Sequence, residues 1–418
     1  MNLKIKNFGK IAEADIKFDG ITVICGNNNT GKSTVGKSLF CFYNALNDYK
    51  NKIDVQKYDK VRSAIMRYGN RAISPYRLQK DLFEFISEHD SHFDKMEVSD
   101  FLESYNDEKI PKDRLDSIVD YLNAPESDIL DEYVQRYITN VMNGQVKNAY
   151  SSNRSSCLIS GEFKDFTNTI RILKSSCKCE IYEPIEHSAY YINSPFSLDG
   201  LNEYSYLSPR SNLMSRNIVD AIQQAQRNIN EDSMTNILDA VLNKKNLDEV
   251  RKVLKIAYEG DTIIDHGKYY YKENGVAVDF RNISAGLKSF AIIERLLETG
   301  VLKKKDVLIL DEPEIHLHSE WQIIYAELIV ILQKTFDLTI LLVTHSFHFL
   351  ESLDFFMKKY GTHDNANYYI PKETNKGYIM NSCGNDALEL KKNLSEGSVT
   401  LSDLKFKYEM ENYSEEDN

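Results

Sequence analysis

Two overlapping copies of one phosphate-binding pattern lie in residues 25–38, which read CGNNNTGKSTVGKS. The pattern G-x-x-x-x-G-K-S supplies backbone N–H groups around a phosphate chain, a lysine for the terminal phosphates and a hydroxyl for Mg²⁺. One copy runs from Gly26 to Ser33 and the other from Gly31 to Ser38. A loop of this kind must follow a buried strand and open a helix, so the flanking sequence decides between the copies.

The flanking sequence favours the first copy. Ile21–Cys25 is a short, apolar, β-branched run that predicts a buried strand ahead of Gly26, whereas Gly31 follows a turn-like stretch of asparagines. The apolar spacing after the loop predicts a helix that begins near Lys32, so the lysine and serine of the second copy become ordinary helix residues. The predicted phosphate cradle consists of Gly26, Asn27, Asn28, Asn29, Thr30, Gly31, Lys32, Ser33 and Thr34.

A second buried strand is predicted at Val307–Leu310, and it ends in two carboxylates, Asp311 and Glu312. An aspartate at a strand tip can hold Mg²⁺ together with Ser33, and the adjacent glutamate can polarise an attacking water as general base. In the same scheme Lys32 contacts the β- and γ-phosphates. A solvated acidic turn after a core strand is the competing interpretation, and it explains the pattern less well.

Two weaker sequence features add further candidate residues to the nucleotide site. The apolar run at 338–343 leads to His345, and the carboxyl end of a parallel strand is where a γ-phosphate sensor would lie. A lone histidine more often has a structural role, so His345 is a candidate site residue only in combination with the other motifs. Ser284 opens a helix whose first N–H groups can face an anion, although taken alone a simple N-cap is the better explanation.

These elements predict an α/β protein, namely a P-loop ATPase head with a mixed sheet and a largely helical inserted lobe. A chain of 418 residues is too long for one compact core. We expect the head's N-terminal part at 1–50, a helical insertion at 51–185, a return strand with a helical lid at 186–260, the head's C-terminal part at 261–360, and an extension with an acidic tail at 361–418.

The insertion separates its charges by sign. Residues 50–80 contain nine Lys/Arg and two Asp, and residues 81–132 contain 17 Asp/Glu against four Lys/Arg. Both stretches read as helices interrupted near Pro75, Pro111 and Pro125. Solvated helix faces are the simpler explanation. The alternative is a basic helix for DNA or an acidic protein, beside an acidic docking surface.

Composition narrows the function classes. The net charge of −12 argues against a surface that coats DNA generally. Of six cysteines only Cys177 and Cys179 are close in sequence, and without a second pair to complete a zinc site we expect free thiols in a reducing compartment. The sequence shows no signal-peptide core or run of membrane-spanning length, so we expect a cytoplasmic protein with no membrane contact.

Taken in order, the segments CGNNNTGKST, NISAGLKS, VLILDEPEIHLHSEWQ and LLVTHS resemble the motifs of an ABC-type ATPase head. The segment DEPEIHLH, with a long insertion before it, resembles the OLD/RecF/SMC-like branch of these ATPases rather than transporter subunits. The resemblance covers residues 1–45 and 265–355. It implies ATP and Mg²⁺ as ligands, and two heads that sandwich ATP in a homodimer or higher homo-oligomer.

The resemblance also implies a role for each motif. Ser284 and Gly286 of one chain would face the γ-phosphate that Lys32 of the other chain holds. Glu312 would be the catalytic base, and His345 would be the switch histidine.

The sequence departs from the family pattern in the signature segment. Ala285 and Leu287 replace the first glycine and the glutamine of the usual signature. The glutamine loop has only a positional candidate, Asn193–Phe196, after a strand-like run. His316 and His318 have the spacing of a metal-binding pair, but the branch carries histidines in its dimer-facing loop, which is the favoured interpretation.

Two functions remain open at this stage. Stand-alone ATPases of this type resemble components of bacterial anti-phage systems such as Septu and PARIS, which implies a sensor or scaffold that controls a separate effector nuclease. Since 73 residues follow His345, we expect no nuclease domain of the TOPRIM type after the ATPase motifs. The alternative is a RecF-like DNA-maintenance ATPase that clamps DNA directly, and a transporter subunit is a distant third.

Overall fold

The computed structural model describes residues 1–68, 75–88, 92–105, 111–151, 155–173, 176–202, 213–231 and 248–394. Its described strands form one large mixed sheet and one small antiparallel sheet. The large sheet contains β1 (Asn2–Phe8), β2 (Ile11–Lys17), β3 (Ile21–Cys25), β4 (Cys157–Glu162), β5 (Thr167–Ile172), β6 (Cys177–Glu180), β7 (Ala189–Ile192), β11 (Val307–Asp311), β12 (Thr339–Thr344), β13 (Asn367–Thr374) and β14 (Gly377–Ser382). The small sheet contains β8 (Asp261–Asp265), β9 (Lys268–Glu273) and β10 (Val276–Asp279).

Helices cover both faces of the large sheet. The described helices are α1 (Lys32–Leu46), α2 (Tyr49–Tyr68), α3 (Pro75–Glu88), α4 (Lys95–Glu103), α5 (Lys112–Leu122), α6 (Glu126–Val141), α7 (Leu213–Glu231), α8 (248–257), α9 (Ala285–Glu298), α10 (Ser319–Phe336) and α11 (Phe347–Tyr360). In β11, Val307 and Ile309 join the core that includes α1 and α6, while Leu308 and Leu310 join the core that includes α9 to α11. Because successive side chains of a strand point to opposite faces of the sheet, β11 contributes to a hydrophobic core on each face.

The strand order places the chemical motifs at one edge. It runs β6-β5-β4-β1-β2-β14-β13-β3-β12-β11-β7, and β3, β12, β11 and β7 are parallel. In this register Cys25 pairs with Thr344, and Asp311 pairs with Val343. The carboxyl ends of β3, β12 and β11 therefore lie side by side, as a nucleotide site in an open parallel sheet requires.

The predicted α/β head with a mixed sheet is confirmed, and so is its first helix. α1 begins at Lys32, and it contains Lys37 and Ser38 of the second pattern copy as helix residues. The hydroxyl of Ser38 donates to the Thr34 carbonyl at 2.8 Å, one helical turn back, and is therefore turned away from any phosphate. The first copy, Gly26 to Ser33, is the one that follows a strand and opens a helix.

The helical lobe has a core of its own. Side chains from α2 to α5 form one hydrophobic cluster, separate from the two clusters of the head. α6 instead packs on α1 and β6 and contributes Val134 and Ile138 to the head. The prolines mark helix starts as expected, because α3 begins at Pro75 while Pro111 and Pro125 directly precede α5 and α6.

Two stretches outside the predicted head also build its sheet. The predicted insertion 51–185 contains β4 to β6, which extend the large sheet beyond β1. The predicted extension 361–418 contains β13 and β14, which lie between β3 and β2. The helical part of the insertion that the structure describes therefore ends with α6, and the extension supplies β13 next to the P-loop strand and β14 next to β2.

Candidate functional site

The turn between β1 and β2 shapes the P-loop. Gly31 has a φ of 88°, and a Cβ on this residue would lie only 2.6 Å from Cδ1 of Ile11. Asn29 also has a positive φ, 68°, and its carbonyl accepts a 3.2 Å hydrogen bond from Lys10 Nζ. Both the backbone conformation and the lack of space require glycine at position 31. The loop is thus supported from outside by the Gly9-Lys10-Ile11 turn.

The P-loop lysine lies inside the loop. Lys32 is 3% exposed, and its Nζ donates to the carbonyl oxygens of Gly26 and Asn27, each at 2.8 Å. Burial lowers the pKa of Lys32, and the carboxylates of Glu312 and Asp311 oppose that fall. The ammonium group is therefore positioned between the loop carbonyls and the acidic end of β11.

Asp311 lies beside the P-loop serine at the end of β11. Its Oδ2 accepts a 2.6 Å hydrogen bond from the Tyr191 hydroxyl, and Ser33 is a second hydroxyl partner. Burial raises the pKa of Asp311, and these hydroxyls oppose the rise. Asp311 Oδ1 is buried without a hydrogen-bond partner among the described residues. A hydroxyl next to a carboxylate with an unshared oxygen fits Mg²⁺, which prefers hard oxygen ligands.

Tyr191→Phe tests whether this hydroxyl orients a metal ligand. If Asp311 holds Mg²⁺ for the ATP hydrolysis that the motifs predict, the Mg²⁺ concentration that half-saturates this activity is expected to rise about tenfold, since loss of such a supporting partner costs 10- to 100-fold in metal affinity. The measurement is phosphate release during a Mg²⁺ titration. Tyr190→Phe is the control, because the Tyr190 hydroxyl donates to the Val301 carbonyl, away from Asp311. Equal Mg²⁺ requirements in the two variants would contradict this role.

Glu312 is held in an unusual backbone conformation next to His345. Its φ is 53°, and its N–H donates to the Val343 carbonyl at 2.8 Å. Oε1 of Glu312 lies 3.2 Å from Nδ1 of His345. The two side chains are 26% and 41% exposed, so water reaches both. A left-handed glutamate is uncommon, and strained residues of this kind cluster at functional sites.

Glu314 is a site residue that the sequence motifs do not single out. It is 3% exposed, and its Oε1 accepts hydrogen bonds from the Thr344 hydroxyl and, at 3.4 Å, from the His345 N–H. Burial raises the pKa of Glu314, and these partners oppose the rise. The sequence feature that could have identified Glu314 is its position in the segment DEPE, two residues after Glu312. A buried acid needs specific hydrogen-bond partners. Glu314 thereby joins the loop of Glu312 to the strand end that carries His345.

The start of α9 does not line the P-loop cavity of its own chain. Ser284 is exposed, and its hydroxyl oxygen accepts from the Leu287 N–H at 3.2 Å as an N-cap. A Cβ on Gly286 would lie 2.9 Å from the Trp321 ring and 3.2 Å from the His316 carbonyl, so close packing requires this glycine. Neither Ser284 nor Gly286 is among the described residues that line the P-loop cavity.

A buried ion pair joins α9 to the segment that follows β7. Lys288 is 1% exposed; its Nζ lies 2.6 Å from Asp199 Oδ1 and 4.9 Å from the centre of the Phe196 ring. Phe196 in turn packs edge-to-face on His316 at 5.7 Å. The predicted glutamine-loop segment, Asn193–Phe196, thus contacts both the start of α9 and the loop after Glu312, and its role stays a prediction.

No group of three or more His, Cys, Asp or Glu in the described part of the chain is arranged to hold a metal ion. No such group includes His316 or His318, which are both exposed. None includes Cys177 or Cys179, which are free thiols with their sulfur atoms 3.8 Å apart.

A cavity of about 840 Å³ opens beside the P-loop. Its described lining contains the lysines Lys10, Lys32, Lys37 and Lys147 and one acidic residue, Glu312. Such an excess of positive charge in a cleft attracts polyphosphates. The predicted cradle residues that line the cavity are Asn29, Thr30, Gly31, Lys32, Ser33 and Thr34.

The sequence profile of the AAA ATPase domain matches residues 1–350. The chain belongs to the AAA ATPase domain family. Because the matched range includes the P-loop, Asp311, Glu312 and His345, the AAA ATPase assignment covers the whole site described above. It implies that the P-loop of this AAA ATPase binds a nucleotide.

Solved structures similar to this AAA ATPase include heads of SMC proteins. An SMC head bound to the C-terminal winged-helix domain of ScpA is 12% identical, with a TM-score of 0.45 over 92% of this chain and 97% of that one. The SMC head of Thermotoga maritima is 10% identical, with a TM-score of 0.36 over 91% and 97%. A Pyrococcus furiosus head with an extended coiled coil, bound to the C-terminal domain of ScpA, is 9% identical, with a TM-score of 0.40 over 97% and 98%.

No curated protein matches this AAA ATPase. Across the described residues, no helix combines the length and the apolar character needed to cross a bilayer.

Proposed function

We propose that this AAA ATPase binds ATP with Mg²⁺ in the P-loop cavity and hydrolyses it. The observation that carries the proposal is the 3.2 Å approach of Glu312 to His345 at the strand ends that flank the P-loop. Lys32 holds the β- and γ-phosphates, and Ser33 and Asp311 hold Mg²⁺. When bound, Mg²⁺ neutralises charge that develops on the transferred phosphate.

Glu312 is proposed as the general base. Its carboxylate takes a proton from the water that attacks the γ-phosphate, and its partial exposure gives that water access. His345 lies within hydrogen-bond distance of the same carboxylate, so it can orient Glu312 and contact the γ-phosphate. Glu314 fixes both by its hydrogen bonds to Thr344 and to the His345 backbone.

A second copy of the chain is proposed to complete the site. The first turn of α9 begins at the exposed Ser284 and lines no part of its own P-loop cavity, and a helix start of this kind suits an anion. Large apolar side chains are exposed close to it, with Ile315 55% and Phe196 49% exposed. A homodimer or higher homo-oligomer would cover this surface and bring Ser284 and Gly286 to the partner's γ-phosphate.

Mixing two inactive variants tests the shared site. Lys32→Ala and Ser284→Arg chains are each expected to be inactive alone. Random exchange between equal amounts makes half of the dimers mixed, and each mixed dimer keeps one intact site of two, so we expect roughly a quarter of the parent ATPase rate. The control is co-purification through a tag on one variant, which proves exchange. No recovery in a mixture with proven exchange would contradict a shared site.

For its biological role, we propose a sensor or scaffold that regulates a separate effector, most simply a nuclease in anti-phage defence. The helical lobe supports this role, because α2 to α5 have a core separate from the head and expose Met66 (65%) and Met96 (72%). Exposed methionines adapt to partner surfaces. Purification from native cells, with mass spectrometry of the bound proteins and nucleic acids, tests the role: a stoichiometric effector protein supports it, and DNA alone contradicts it.

Direct DNA clamping is the second candidate, and the basic residues of α2 favour it. However, three of these residues already have partners within the protein, which weakens the case for DNA contact. Lys52 donates to the Asn44 carbonyl at 2.9 Å, while Lys57 and Lys60 lie over the rings of Phe93 and Tyr121. Clamping predicts tight DNA binding without a partner, and an affinity that falls steeply as salt rises.

A further inference from the structure

The P-loop cavity extends to the segment that leaves the inserted lobe. Beyond the loop itself, its lining includes Met142 at the end of α6, then Val146 and Tyr150. Leu173, next to β5, lies on the same cavity and is 46% exposed. A nucleotide whose phosphates occupy the P-loop would direct its base toward this end of the cavity.

This segment is held rigidly against the β1–β2 turn. The Val146 carbonyl accepts a 2.8 Å hydrogen bond from the Gly9 N–H. Asn148 is 3% exposed, and its Nδ2 donates to the carbonyls of Ile11 and Lys376 at 3.1 and 2.8 Å. Its Oδ1 accepts from the Tyr150 N–H at 2.8 Å. One buried side chain therefore joins the segment to the turn that supports the P-loop.

Tyr150 stands at the mouth of the cavity and is 55% exposed. A Cβ on Gly377 would lie 3.3 Å from Tyr150 Cδ2 and 2.6 Å from the Lys10 carbonyl, so the tyrosine ring and Lys10 lie close together. Lys10 also donates to Asn29 in the P-loop. An exposed aromatic ring thus lies close to Lys10, and Lys10 in turn contacts the phosphate loop.

We infer that Tyr150 is the stacking platform for the nucleotide base, and that Asn148 positions it. The inference rests on the proposed binding of ATP in this cavity. An aromatic ring stacks on any base, so this contact adds affinity for a nucleoside triphosphate without choosing between purines. It also connects the nucleotide site to the helical lobe, because Tyr150 follows α6, which packs on α1 of the head and on α2 of the lobe.

Two ligands separate base binding from phosphate binding. Calorimetry with Mg²⁺ compares the β,γ-imido analogue of ATP with inorganic tripolyphosphate, which has no base. Tyr150→Ala is expected to weaken the ATP analogue about 5- to 150-fold, the range for loss of one base–aromatic stack, and to leave tripolyphosphate unchanged. Tyr150→Trp is expected to keep the parent affinity for both ligands. Tyr182→Ala is the matched control, since Tyr182 is 73% exposed and lies outside the cavity lining.

The outcomes distinguish this inference from the function on which it rests. If the parent binds both ligands and Tyr150→Ala binds the ATP analogue equally well, the stacking role is wrong while ATP binding stands. If Tyr150→Ala loses affinity for tripolyphosphate by the same factor, the tyrosine acts on the loop structure and the stacking role is again wrong. If the parent binds neither ligand, the proposed function itself fails.

Discussion

Glu312→Gln is expected to keep ATP bound while turnover falls by about 100-fold or more, the usual scale for a general base. The amide has nearly the same shape as the carboxylate, and it can still approach His345 Nδ1, now 3.2 Å from Oε1. It cannot accept the proton of the attacking water. The measurement combines calorimetry for ATP affinity with phosphate release for turnover.

The matched control is Glu320→Gln. Glu320 lies in the first turn of α10, eight residues after Glu312, and is an exposed acid outside the described cavity lining. Its variant should turn over ATP at the parent rate. Parent-like turnover in Glu312→Gln would show that another group activates the water.

Lys32→Ala is expected to weaken ATP binding by roughly 100-fold or more, because charge-assisted hydrogen bonds to two phosphates contribute about 1.5–3 kcal/mol each. The lysine is buried between the carbonyls of Gly26 and Asn27, so no neighbouring side chain can replace it there. Isothermal calorimetry with Mg²⁺ and ATP measures the change. Thermal unfolding of the same preparation shows whether the variant is folded.

Lys37→Ala is the control that separates the two pattern copies. Lys37 lies one turn further along α1, partly exposed on the cavity wall, where it supplies only general positive charge. We expect a loss of a few-fold at most, the scale of one solvent-screened charge. If Lys37→Ala costs as much ATP affinity as Lys32→Ala, the phosphate position assigned to the first copy is wrong.

Local patterns predicted the parts of the site that depend on neighbours in sequence. The β-branched run before Gly26 is β3, and the helix expected near Lys32 begins at that residue. Pro75, Pro111 and Pro125 mark helix starts because proline lacks an N–H that the first turn of a helix does not use. Glu312 meets His345 because β11 and β12 are parallel neighbours that end at one edge of the sheet.

Contacts between distant parts of the chain could not be predicted in this way. Tyr191 reaches Asp311 across 120 positions, and Asn148 reaches Lys376 across 228. β14 pairs with β2 although Tyr378 and its partner Ile11 are far apart in sequence. Periodicity identifies the buried face of a strand but not its neighbour in the sheet, so the supports of the site became visible only in the fold.

The most direct test of the central claim is steady-state phosphate release by the unmodified chain and by Glu312→Gln, each with ATP and Mg²⁺. We expect both to bind ATP, the parent to release phosphate only when Mg²⁺ is present, and the variant to be slower by about 100-fold or more. Phosphate release at equal rates, or a parent that binds ATP with Mg²⁺ and does not hydrolyse it, would contradict the role of Glu312 in ATP hydrolysis.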